Sequence, residues 1–110
     1  MYKTDYHMHS TFSDGRAAPE DYIAPAVAAG LREIGFSEHL TLFRELEHWN
    51  MDPSRIPAYL DHLEQIGKSS NHILIRTGLE VDFFEDKEDE IRSFLSAFQV
   101  DYIIGSVHSG

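Results

Sequence analysis

Four short β-rich runs, separated by three segments with helical apolar spacing, constrain this 110-residue chain more than any other feature. Residues 2–7 alternate Tyr2, Thr4 and Tyr6 with Lys3, Asp5 and His7, as a strand does. A polar loop from Ser10 to Arg16 follows, and its Asp14-Gly15 pair signals a turn. Pro19 suits the start of a helix, with Glu20 and Asp21 favourably placed against its dipole. Tyr22, Ile23, Ala26 and Val27 share one face, and Gly30 closes the helix; Pro25 predicts a bend within it. Ile34-Gly35-Phe36-Ser37 is a short second strand leading into Glu38-His39. After an irregular stretch from Leu40 to Ile56, a second helix begins near Pro57, with Leu60, Leu63 and Ile66 as its stripe and Gly67 at its end. Residues 73–77 make a third strand that runs on to Glu80. A third helix opens near Asp86, where Ile91, Phe94, Leu95 and Phe98 fall at i, i+3, i+4 and i+7. Val100 to Ile104 forms the fourth strand. The order β-α-β-α-β-α-β predicts an α/β fold of parallel strands covered by helices, one unit over residues 1–110 without a linker.

Residues able to bind metal fall at one phase of that alternation. His7 and His9 close the first strand, where side chains at i and i+2 point the same way and offer two nitrogens to one ion. His39 closes the second strand, Glu80 the third and His108 the fourth. The C-terminal ends of parallel strands share one edge, which is where ligands bind in such folds. A His-x-His pair means little alone, but ligand-type residues at four consecutive strand ends are hard to obtain by scatter. Asp14, in the loop after the first strand, reads either as a further ligand or as an ordinary Asp-Gly turn residue. Asp5 and Asp82 read as acceptors that orient imidazoles, and Glu38 is divided between that role and solvent. His48, His62 and His72 lie off the phase and read as surface or packing residues, and Trp49 as part of a packed loop.

Composition narrows the function. Nineteen acidic residues against nine basic ones give a formal charge of −10, which argues against a nucleic-acid surface. An anionic substrate is compatible with that charge if bound divalent cations reverse its sign locally. With no cysteine, thiolate ligands and disulfides are excluded from the chain. No apolar run approaches the length of a membrane span and the start does not resemble a signal peptide, so the cytoplasm is the expected compartment.

Asp5-x-His7-x-His9-Ser10, Ser37-Glu38-His39, Gly78-Leu79-Glu80-Val81-Asp82 and Gly105-Ser106-Val107-His108 resemble the first four motifs of the PHP (polymerase and histidinol phosphatase) domain. Their wording is closest to the stand-alone histidinol-phosphatases. The resemblance implies a distorted (βα)7 TIM-like barrel around up to three divalent ions, Zn, Mn or Fe. By motif position, His7, His9 and Glu80 would hold one ion. Glu80 would bridge to a second, also bound by His108, and Asp14 and His39 would sit on a third. The implied reaction is hydrolysis of L-histidinol phosphate, a small phosphorylated substrate, by metal-activated hydroxide, with no protein nucleophile. Family members are far longer and supply, beyond their fourth motif, a further His, an Asp-x-His pair and the basic residues that hold phosphate. On that basis the chain is expected to form the N-terminal half of a barrel, one partial PHP domain, with open sheet edges suited to self-association. The readings weighed beside it are a PHP-type nuclease or polymerase-associated domain, and a metal-binding fragment without turnover.

Overall fold

Ile34, Phe36 and Leu40, in phase with the buried Glu38, and again Leu79, Val81 and Phe83 give the two central strands one buried face. The computed structural model describes residues 3–45 and 47–108. It consists of β1 (Thr4–Met8), α1 (Ile23–Ala28), β2 (Glu33–Thr41), α2 (Ile56–Ser69), β3 (Leu74–Phe84), α3 (Glu88–Leu95) and β4 (Tyr102–His108). Each helix is entered through a 3-10 turn: Pro19–Tyr22, Pro53–Arg55 and Glu85–Lys87. All neighbouring strands are parallel, in the order β1-β2-β3-β4. Because each strand lies beside its predecessor, the sheet curls on as half of a barrel, without the reversal of strand order that marks a doubly wound sheet.

The strands depart from the sequence expectation at their ends. β2 runs through Ser37, Glu38 and His39 to Thr41, and β3 continues past Glu80 to Phe84. Polar residues there obscure the apolar alternation, yet nine consecutive register pairs, from Glu33↔Leu74 to Thr41↔Asp82, hold the two strands together. β4 starts at Tyr102 and reaches His108. Tyr2, expected in the first strand, lies outside the described residues. The bend expected at Pro25 has a simple resolution. The α-helix proper begins at Ile23, so Pro25 occupies its first turn, where a backbone N–H has no partner to lose. Gly30, at φ +82°, ends the α1 segment in the left-handed region that glycine reaches at least cost.

Alternation along β2 and β3 sorts the side chains. Ile34, Phe36 and Leu40 with Leu79, Val81 and Phe83 form the core with Ile56, Tyr59 and Leu63 of α2 and with Ile91 and Leu95 of α3. The opposite, concave face carries Gly35, Ser37, His39, Gly78, Glu80 and Asp82. Low on that face the Tyr102 ring lies across Gly35 and Gly78, where a Cβ at either position would overlap it. Its hydroxyl lies 2.6 Å from the Tyr6 carbonyl and 3.1 Å from that of Phe36, so β4 reaches across two strands to β1.

β1 contains a bulge. Its register runs Thr4↔Glu33, Asp5↔Ile34 and then Met8↔Phe36, three steps against two. One inserted residue reverses the phase of a strand. Tyr6, bonded to Glu33 low on the concave face, and His7, bonded to Glu80 above it, therefore face the same side despite being adjacent. Met8 turns to the helical core instead.

Candidate metal centre

β1, β2, β3 and the loop after β1 bring five of the expected residues together. His7 Nε2 bonds Glu80 Oε1, and the other Glu80 oxygen lies 2.9 Å from His39 Nδ1. The remaining His39 nitrogen faces Asp14 Oδ2 at 3.3 Å, while Asp14 Oδ1 is 3.8 Å from His9 Nδ1. The His9 and His39 rings stack at 4.4 Å with 5° between their planes. Two groups of three ligand atoms result, His7–His9–Glu80 and His9–Asp14–His39, each with its atoms within 4.8 Å of one another. His9 belongs to both, and Glu80 turns a separate oxygen to an imidazole on either side.

Two observations test whether these residues suit a metal. Among the described residues His9 Nδ1 is buried without a hydrogen-bond partner, a costly state that a ligand would relieve. Burial foremost, and then the neighbouring His39, lower the pKa of His9 below its ordinary 6.5, so the unprotonated ring that ligation requires is favoured. Imidazole nitrogens mixed with carboxylate oxygens form a donor set that Zn, Mn and Fe ions accept. The residues fit a divalent ion.

Comparison with known proteins identifies the family. The PHP domain model matches residues 5–110. The chain belongs to the PHP domain family. This PHP chain is 35% identical over 98% of its length to a histidinol-phosphatase of Lactococcus lactis, of which it covers 40%. It is 32% identical to the histidinol-phosphatase of Bacillus subtilis, covering 98% of itself and 44% of that protein. Among solved structures it resembles the histidinol phosphate phosphatase of L. lactis in complex with zinc, L-histidinol and phosphate. That match has a TM-score of 0.83 and 31% identity, over 96% of this chain and 40% of the other. The chain thus spans about two fifths of the length of these relatives.

Other expected residues are placed differently. The partner of Glu80 on β4 is Ile104, whereas His108 stands opposite Phe84, about 13 Å further along the strand. His108 Nε2 lies 3.1 Å from Asp82 Oδ1, and its ring stacks on Phe84 at 5.2 Å, so His108 sits against Asp82 and not with Glu80. Asp82 meets an imidazole as expected; its second oxygen accepts from Thr41 Oγ1 at 2.5 Å. The Asp5 carboxylate accepts from the His7 backbone N–H at 3.0 Å and orients the chain there, not a ring. Glu38 reaches neither solvent nor an imidazole. It is fully buried, on the helical side of β2, and accepts from Ser10 and Ser13. Of the histidines read as off-site, His62 pairs with Glu20 at 3.1 Å and sets its ring against Phe12 of the loop after β1.

Thr41, Asn50 and Ser13 escaped the sequence reading. Thr41 shares the strand phase of His39 and stood open to detection; it touches Asn50 as well as Asp82. Trp49 stands at right angles to the His39 ring, centroids 5.3 Å apart, because the Met51 N–H bonds the His39 carbonyl and folds that loop back over β2.

Proposed function

We propose that this chain carries the metal-binding part of a phosphomonoesterase that converts L-histidinol phosphate to L-histidinol and phosphate. The observation that supports it most is the pair of ligand groups joined at His9 on the strand-end edge of a PHP domain. The likeness to a structure holding zinc, L-histidinol and phosphate supplies the substrate class. His7, His9 and Glu80 would hold one ion and His9, Asp14 and His39 another, with His108 available to a further one. Zn, Mn or Fe, up to three in number, suits these donors. Bound there, the ions supply Lewis acidity that lowers the pKa of coordinated water to about 7 and offsets phosphoryl charge.

The protein's own groups prepare that chemistry. Glu80 aligns His7 and His39 through separate oxygens, and burial keeps His9 unprotonated. Asp82 accepts from Nε2–H of His108, a tautomer that leaves the lone pair on Nδ1. Trp49 packs at right angles against His39. A chain of charge −10 attracts a phosphate ester only where cations reverse its field, so metal and substrate binding are coupled. A cytoplasmic setting and a place in histidine biosynthesis go with this reading.

The test is release of inorganic phosphate from L-histidinol phosphate with Zn or Mn, run beside degradation of single-stranded DNA. Metal-dependent phosphate release, abolished by a chelator and by His9→Ala, is expected. Metal binding without release would make the chain a metal-binding unit lacking turnover, and loss of DNA would turn the reading toward a nuclease.

A further inference from the structure

We propose that Glu38 is a positioning residue, whose buried carboxylate fixes the loop after β1 so that Asp14 meets His9 and His39. The inference rests on reading Asp14 as a metal ligand. Glu38 is fully buried, yet no imidazole of the centre touches it. Its oxygens are occupied by one loop instead. The Ser10 N–H donates at 2.8 and 3.1 Å, the Ser10 hydroxyl at 2.6 Å and the Ser13 hydroxyl at 2.7 Å.

Both donor residues precede Asp14 in the loop, Ser13 directly. The Ser10 carbonyl accepts from both Ser13 N–H and Gly15 N–H, at 3.0 and 2.8 Å, winding the loop onto itself. Gly15 then presses against the His9 carbonyl so closely that a Cβ would overlap it. Asp14 is held between Ser13, tethered to Glu38, and Gly15, packed on His9. Its side chain is 40% exposed and faces two imidazoles, so the backbone on either side does much to aim it. Glu38 and His39 are adjacent on β2 and point to opposite faces. One strand therefore supplies a ligand from one face and anchors the loop of another ligand from its reverse.

Cobalt(II) titration of the intact chain, followed by calorimetry and by the visible d–d spectrum, tests this. Asp14→Asn identifies the sites that need Asp14, and His7→Ala those that need His7. Ser13→Ala removes one tether and leaves the Glu38 carboxylate in place, while Glu38→Gln keeps the shape and removes the charge. Both are expected to weaken cobalt binding about ten- to a hundredfold at the Asp14-dependent sites and to shift their spectrum, with the His7-dependent sites unchanged. If Glu38→Gln does not fold, Ser13→Ala alone decides. Wild-type affinity and spectrum in the folded variants would overturn the proposal. Equal weakening at every site together with a lowered Tm would also overturn it, since a purely structural role gives that result. Wild-type binding by Asp14→Asn would instead remove Asp14 from the metal centre, and the proposal with it.

Discussion

His9 joins the two ligand groups, so its protonation state acts on both at once. Its pKa in the metal-free fold lies below the 6.5 of an unperturbed imidazole, chiefly through burial and secondly through His39. A depressed folded value means that the unfolded chain takes up the proton first. The contribution of neutral His9 is present above pH 6.5 and is lost as the pH falls through its folded value. Denaturant midpoints of metal-free protein between pH 7.5 and pH 5 (a range of about one unit above and about one and a half below the usual imidazole pKa) should therefore fall with acid. His9→Gln should flatten that dependence, and an unchanged slope would contradict the assignment. At this scale the sequence is readable where a residue type and a strand-end phase suffice, as for His7, His9, His39 and Glu80. It is silent where a common hydroxyl acquires its meaning from a distant partner: Thr41 meets Asp82 across 41 positions, a contact that the β2–β3 register alone decides.

Among the elements, β1 shows how one inserted residue changes what a strand presents. Simple alternation would set Tyr6 and His7 on opposite faces, and the bulge sets both on the concave one. No residue between Asp5 and Met8 is a glycine or proline, so composition gives no cue. The seat of the Tyr102 ring on β2 and β3 depends on a different device, the bare backbone of Gly35 and Gly78 beneath it. Gly78→Ala must displace that ring and is expected to destabilise the fold by about 1–3 kcal/mol, read from urea midpoints. Tyr102→Ala in the same background should recover part of the loss relative to Tyr102→Ala alone, because the clash is gone; additive losses would show that the ring is not the obstacle. Helix starts were legible to within a few residues from Pro19, Pro57 and the acidic run near Asp86, but the 3-10 entries were not, since 3-10 and α turns draw on the same residues.

At the scale of the whole molecule, repetition made the fold legible: three strand-helix units, all strands parallel, all joined in sequence. Among the described residues β1 and β4 pair on one side only, and Val107 on β4 is 73% exposed. An unpaired strand with an exposed apolar side chain invites a second chain. Sedimentation velocity should show an average mass that rises with concentration, and Val107→Lys should restore the single-chain mass. A concentration-independent monomer would contradict this. The bond from Tyr102 to the Tyr6 carbonyl, spanning 96 positions, carries a consequence for the order of assembly. β1 is held on its concave side by a residue far along the chain, and contacts so distant form only after their loop has closed. During folding the strand that bears His7 and His9 is thus secured late. An ion that needs those two histidines meets a finished cradle only after that long loop has closed.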